Sequence, residues 1–460
     1  MINNLSMDKL TPVQLAELDR KHFLHPTTNP KAHAENGPKA MFSEGKGIYV
    51  SEMEGVPYID GVSMLWNVNI GHGNQEIAEV AKEQMSKLAY SSSFNGFSNE
   101  PAVRLAEKLA TLAPGNLNSV FFTSGGSESN DTAFKLARFY WELNRKPLKR
   151  KIIALGNSYH GVTIAAQTAT SIPNFHSFTN SKIKEVFHAK PHLTECERGD
   201  KNHPDYEGCI RDIVEKEGAD TIAAVIMEPV QGAGGVHIPP EGYMAAVRKL
   251  CDDFNILLIA DEVITGFGRT GTMFGSENWE AIPDLLCFAK GVTSGYAQLG
   301  GVMLSQNVRD TIVEYEEVLS HGFTYSGHAT SCAVALKNIE IIERENLVAN
   351  AKNMEVKLKA GLEYLSEKHK IVTKPRAIGL LSAIDLYQDP ANNVPFEEGV
   401  MAAAKVWEAC FERKLIARPI RFAKGMNTIA LAPPLIINNQ QIEDVVGILD
   451  DAISEFSKSL

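Results

Sequence analysis

The clearest pattern in the chain is a change of period. In GIYVSEMEGVPYIDG, residues 47–61, apolar and polar positions alternate around Glu54-Gly55, which predicts an antiparallel hairpin. From about Asn74 the period lengthens, and residues 74–88, 100–112, 127–144, 242–254 and 330–344 each carry an apolar stripe at helical spacing. Between these helices lie short runs that are apolar on both faces: 119–123, 151–155, 221–227, 255–260, 285–289 and 301–304. Strands without a polar face need cover on both sides, so their alternation with helices predicts a mostly parallel α/β sheet. Before the hairpin come a short helix (12–24) and a polar link through Pro26 and Pro30. After residue 345 a helix over 347–368, IGLLSAIDL, a helix at 396–413, NTIALAPPLII and a last helix suggest a smaller α+β domain. The expected division is 1–70 as an N-terminal segment contributing to the small domain, 71–330 as the large domain and 331–460 as the small one.

Composition agrees with a two-domain globular chain: 460 residues, 44% hydrophobic and 22% charged. The formal net charge is −11, and no basic stripe extends beyond Lys149-Arg150-Lys151. Nucleic acids and anionic membranes both require a positive field, so neither is an expected partner. The six cysteines form no CxxC pair and read as neither a disulfide framework nor a zinc site; Cys287 and Cys332, in apolar runs, look like small core residues, and a reducing setting fits. MINNLSMDKLTPVQ contains no apolar secretory core, and no run approaches 18 apolar residues. The expectation is a soluble cytoplasmic protein.

In open α/β sheets chemistry collects beyond the C-terminal ends of the strands. The run 255–260 leads into Asp261-Glu262, carboxylates that are costly at a buried strand tip unless partnered. The run 285–289 leads into Lys290-Gly291, where the lysine either snorkels outward or serves as an amine of lowered pKa able to form an imine. After 119–123 comes Ser124-Gly125-Gly126-Ser127-Glu128-Ser129-Asn130 and then an amphipathic helix. That is an ordinary Ser-capped turn, or a phosphate cradle built from free N–H groups and the helix dipole. After 151–155 stands Ser158-Tyr159-His160-Gly161, with Tyr159 equally suited to a core position or to stacking on a flat ring. The letters Gly266-Phe267-Gly268-Arg269-Thr270-Gly271 match G-x-G-x-x-G, but acids precede them and no convincing helix follows, so a dinucleotide site is not expected.

The order of these motifs is more specific than any one of them. The Gly/Ser loop, Tyr-His-Gly, Glu228-Pro229-x-x-Gly232, Asp261-Glu262-Val263-x-x-Gly-x-Gly-Arg and then Lys290 resemble the class III aminotransferases from about Gly47 to Pro434. Leu65-Trp66-Asn67, His321-Gly322-Phe323-Thr324-Tyr325 and Ala417-Arg418-Pro419 are most similar to the omega (amine:pyruvate) branch. The resemblance implies the aspartate-aminotransferase-type fold (fold type I) with a seven-stranded sheet, and pyridoxal 5′-phosphate (PLP) held as a Schiff base on Lys290. It also implies that Asp261 pairs with the pyridinium nitrogen. Gly125, Gly126 and Ser127 would hold the phosphate, and Thr324 would reach it from a neighbouring subunit, making a homodimer with shared sites, alone or paired into a tetramer. Tyr159 and Val263 would cover the two ring faces, with His160 beside them and Glu228 near the polar edge. Ile264 replaces the glutamine of many amino-acid-specific relatives, and Ser93 and Gly96 replace a larger aromatic and an arginine.

For substrates the resemblance implies an amine or omega-amino acid donor and a keto acid, pyruvate, exchanged in one pocket. Trp66, Phe94 and Tyr159 would form apolar walls, with plain core packing the alternative for Trp66 and Phe94. Arg418 would bind the acceptor carboxylate through its bidentate fork, with Arg421 able to share the task. A PLP-dependent decarboxylase or aminomutase on the same scaffold, and a PLP-binding regulator, are the competing readings.

Overall fold

The computed structural model describes residues 10–177, 182–279, 281–422 and 425–460, so the first nine residues of the expected N-terminal segment lie outside it. Three strands come first: β1 (Phe42–Lys46), β2 (Tyr49–Glu52) and β3 (Pro57–Asp60), with β2 and β3 forming the expected hairpin. Seven follow: β4 (Leu117–Thr123), β5 (Lys151–Leu155), β6 (Val186–Ala189), β7 (Ile222–Met227), β8 (Leu257–Asp261), β9 (Leu285–Phe288) and β10 (Gly300–Ser305). Their order in one sheet is β4-β10-β9-β8-β7-β5-β6. β10 is antiparallel to β4 and β9, and every other neighbouring pair is parallel. This is the mostly parallel seven-stranded sheet that the resemblance implies.

The two apolar faces of these strands account for the layering. Ile152, Ala154, Ala224, Ile226 and Ile259 pack with Ala133, Phe134 and Ala137 of the helix Gly126–Leu143. The intervening Ile153, Leu155, Val225, Met227 and Leu258 pack on the opposite face with Met244, Val247 and Leu250 of the helix Tyr243–Asp253. Successive side chains on a strand point to opposite faces, so both sets are buried only because both faces are covered.

The rest of the chain forms two smaller sheets. β11 (Val372–Ile378), β12 (Leu381–Asp389), β13 (Val394–Pro395), β14 (Leu415–Ile416), β15 (Arg418–Ile420) and β16 (Thr428–Leu431) supply most of their strands. One sheet runs β11-β12-β16-β15, with β13 on the side of β12. The other runs β1-β2-β3-β14, where Leu415 pairs in parallel with Ile59, tying the hairpin to the C-terminal part.

Helix starts follow their caps. Asn74 accepts from the Ile77 N–H ahead of Gln75–Leu88, and Asn99 from the Ala102 N–H ahead of Glu100–Leu112. Some expectations change. The polar link contains a helix, Pro30–Asn36, because Asn29 caps it and Pro30 occupies its first position. The helix expected at 396–413 begins at Ala402, since Met401 before it is left-handed. Among the described residues no helix is long and apolar enough to cross a membrane.

Candidate active site

Register brings two of the strand-tip residues together. β8 ends at Asp261, which pairs with Cys287 on β9, and Lys290 follows three residues beyond Cys287. Lys290 has φ +45°, a left-handed conformation costing about 1–3 kcal/mol in a residue with a side chain. Its Nζ lies 5.8 Å from the centre of the Trp66 ring and makes no hydrogen bond or ion pair among the described residues. Burial lowers this amine to about 8, against the raising influence of the Asp261 and Glu228 carboxylates and with a further lowering from Arg418. Lys149 is also pushed down to about 8 by burial, but its Nζ donates to the carbonyls of Ala219, Ile222 and Asn255 at 2.7–3.1 Å and has no free role.

Asp261 is buried and held from three directions. Its Oδ2 accepts from Asn130 Nδ2 at 2.7 Å and lies 2.8 Å from His160 Nδ1, and its Oδ1 accepts from the Val263 N–H at 3.1 Å. A carboxylate only accepts, so the ring proton of His160 sits on Nδ1. His160 Nε2 has no hydrogen-bond partner among the described residues. The neighbouring Glu262 turns the other way, away from this group. It accepts from the N–H groups of Gly275 and Ser276 and from the hydroxyls of Ser276 and Thr265.

Glu228 follows β7. Its carboxylate accepts from the N–H of Tyr159 and of Gly232, each at 2.9 Å, which fixes the loop that carries Tyr159. Burial pushes its carboxyl up to about 7, with His160 and the two N–H groups opposing and Asp261 adding to the rise.

The Gly/Ser loop opens an 18-residue helix, Gly126–Leu143, whose N-cap is Gly125 and which no side chain among the described residues caps. The first-turn N–H groups and the positive end of the dipole therefore face the space that Gly125, Gly126 and Ser127 line. A Cβ on Gly126 would stand 2.9 Å from both methyls of Val263, so glycine is what lets Val263 lie beside the loop. Ser127 Oγ accepts from the Val162 N–H at 3.1 Å.

These groups line one cavity of about 750 Å³. Trp66, Tyr159, His160, Glu228, Asp261, Val263, Lys290 and Arg418 all border it together with the Gly/Ser loop. The Arg418 guanidinium lies 5.2 Å from the Trp66 ring centre, and its Nε has no partner among the described residues. Burial lowers its pKa, with Tyr159 opposing. Arg421 is exposed and outside the lining.

Phe94 and Thr324 do not border the cavity within one chain. Phe94 lies on the turn Phe94–Gly96, 48% exposed and packed beside Gly322. Thr324 is exposed, and its carbonyl accepts from the Tyr90 hydroxyl at 2.9 Å.

Several cavity residues were not anticipated: Asn130, Phe175, Phe422, Pro26 and Thr27. Of these Asn130 carries a signal in the sequence, as the last residue of the Gly/Ser motif that opens the helix. The Gly266–Gly271 loop serves packing. Arg269 is fully buried and donates to the carbonyls of Leu380 and Pro433, to Ser63 Oγ and to Asn69 Oδ1 at 2.6–3.1 Å.

The residues present fit PLP. An unpaired amine of lowered pKa suits its aldehyde, a buried carboxylate its ring nitrogen, an uncapped helix start its phosphate, and Tyr159 and Val263 its flat ring. Fold and site together define a PLP-dependent enzyme of the aspartate-aminotransferase type. The family model for aminotransferase class-III matches residues 31–453, and the chain belongs to that family. Putrescine–pyruvate aminotransferase of Pseudomonas aeruginosa is 36% identical over 441 residues, covering 93% of each chain. Diaminobutyrate–2-oxoglutarate transaminase of Halomonas elongata is 34% identical over 462 residues, covering 98% of each. Among solved structures, a transaminase from the marine bacterium Virgibacillus superposes with a TM-score of 0.93 at 49% identity, over 97% of this chain and 99% of that one. An (S)-enantioselective omega-transaminase from Thermomicrobium roseum gives 0.90 at 39% identity, over 98% and 100%. The chain is thus a PLP-dependent aminotransferase that moves an amino group to a keto acid.

Proposed function

We propose that the enzyme is an amine:pyruvate transaminase working by ping-pong exchange in the one cavity, with Lys290 as the residue that bears the cofactor. Bound PLP supplies an electron-accepting ring that stabilises the carbanion left when a substrate carbon loses its proton. With the cofactor bound, Lys290 Nζ would carry that proton, and its lowered pKa keeps a base available near neutral pH. Asp261 keeps the ring nitrogen protonated, and the hydrogen bonds from His160 and Asn130 hold its carboxylate in place. Gly125, Gly126 and Ser127 would hold the phosphate and Tyr159 and Val263 the ring, while Glu228 holds the Tyr159 loop.

The substrate reading rests on one observation: Arg418 and Trp66 share a wall of the cavity, the guanidinium 5.2 Å from the indole centre. A keto acid places its carboxylate on Arg418, while an amine without a carboxylate places its apolar group against Trp66 and Tyr159. The names of the Pseudomonas aeruginosa and Thermomicrobium roseum relatives support the same class. Phe94 and Thr324, side by side with Gly322 at the surface, complete the site from a second copy of the chain in a homodimer. The division into 1–70, 71–330 and 331–460 and a cytoplasmic location, in keeping with six free cysteines, belong to the same reading. The test is alanine formation from pyruvate with a panel of amines. Alanine appearing with amines that lack a carboxylate supports it; carbon dioxide or an isomer in place of alanine overturns it.

A further inference from the structure

At the rim of the cavity the chain crosses from the helix Pro12–His22 to the helix Pro30–Asn36, and Pro26 and Thr27 of this crossing line the cavity. Three side chains converge behind it: Asp19 from the first helix, His25 from the crossing and His33 from the second helix. One ligand-type atom of each lies within 4.8 Å of the others. His25 Nε2 stands 2.9 Å from Asp19 Oδ2 in a hydrogen bond. His33 Nε2 stands 2.8 Å from Asp19 Oδ1 but is misaligned, and both of those atoms lack a hydrogen-bond partner among the described residues. His33 is only 9% exposed, and its ring lies against that of His25 with centres 4.2 Å apart.

A buried imidazole nitrogen pressed on a carboxylate oxygen without hydrogen-bond geometry leaves both groups unsatisfied. A cation taking a lone pair from each satisfies both at once. We propose that Asp19, His25 and His33 bind one divalent transition-metal ion of the zinc class. Two imidazoles and a carboxylate are borderline ligands that suit zinc, whereas calcium and magnesium call for oxygen ligands throughout. Zinc bonds of about 2.0–2.2 Å separate neighbouring ligand atoms by roughly 3.3 Å, so ligand atoms that already lie within 4.8 Å of one another need only a small adjustment to share one ion. Three protein ligands leave a position for water. The bound ion ties both helices and the crossing into one unit, fixing Pro26 and Thr27 at the cavity rim.

The experiment uses the full-length holoenzyme without a histidine tag, titrated with zinc against a chromophoric chelator. All six cysteines are buried, so thiols do not compete. The expected result is one zinc per chain, bound at least tenfold more weakly by Asp19→Asn and by His33→Ala. Cobalt in place of zinc gives visible d–d absorption in the wild type and none in His33→Ala. Cofactor absorbance reports that each variant is folded, and the isosteric Asp19→Asn stands in should His33→Ala lose it. Wild-type protein that takes no zinc from the chelator, or variants that bind it as tightly as wild type, overturns the proposal.

Discussion

His160 Nδ1 lies 2.8 Å from Asp261 Oδ2, both side chains buried at the end of the central strands. The histidine proton and the Asn130 amide therefore hold a carboxylate that would otherwise pay for its burial alone. Asp261→Asn keeps the shape and removes the charge. The expected loss in kcat is about 10²–10³, the cost of removing one preorganised electrostatic group, with cofactor still bound. Steady-state alanine formation beside the cofactor absorbance measures it.

The lowered pKa of Lys290 sets how the cofactor-free enzyme takes up PLP, because only the neutral amine attacks an aldehyde. Between about 8 and the ordinary 10.5 the folded lysine is neutral while a solvated one is charged. The uptake rate should rise with pH and level off above about 8. Stopped-flow absorbance gives the profile, and a rate still climbing toward 10.5 would count against a buried, desolvated amine.

Glu228 titrates with the opposite sign. Its pKa is raised from 4.5 to about 7, so between those values the folded state holds a proton that the unfolded state has lost. Its contribution to stability is fully present below 4.5 and is lost as pH rises through 7. Glu228→Gln removes that slope, so the Tm of wild type relative to the variant should fall from pH 5 to pH 7. Thermal melts at matched pH, with cofactor removed, give the comparison.

Gly126 and Val263 should couple. Gly126→Ala forces its new methyl onto the Val263 side chain, an overpacking cost of about 1–3 kcal/mol, and should weaken PLP binding roughly tenfold or more. Val263→Ala in the same chain removes the obstacle and should restore most of the affinity. Fluorescence titration of the cofactor-free proteins completes the cycle.

Arg269 should matter to stability rather than chemistry. Arg269→Met strands four buried acceptors and should cost about 3 kcal/mol or more, read from denaturant midpoints.

The parts of this site legible in the sequence are those on regular elements. β7 to β10 are buried along their whole length, so their apolar runs stand out and the charged residues that follow them are conspicuous. Lys290 and Asp261 stand out in that way, whereas Glu228 is legible only through the resemblance to the class III aminotransferases. β6 escaped notice because it is a short edge strand, VFHA, paired on one side only. Phe175 and Phe422 lie outside the strands and helices that periodicity reveals best. Trp66 reaches the cavity from a turn in which Ser63, Met64 and Trp66 all have positive φ. None of those three residues is a glycine or asparagine, so the turn is not announced at the positions that make it; Asp60 holds it by accepting from the N–H groups of Val62 and Met64. Phe94 and Thr324 lie on the surface of a single chain, so a role for them depends on a second copy.

The most direct test of the account is borohydride reduction of the holoenzyme followed by peptide mapping. Reduction fixes the cofactor to the amine that holds it, and the account predicts its mass on the peptide containing Lys290. Cofactor mass on any other lysine, including the equally depressed Lys149, would contradict it.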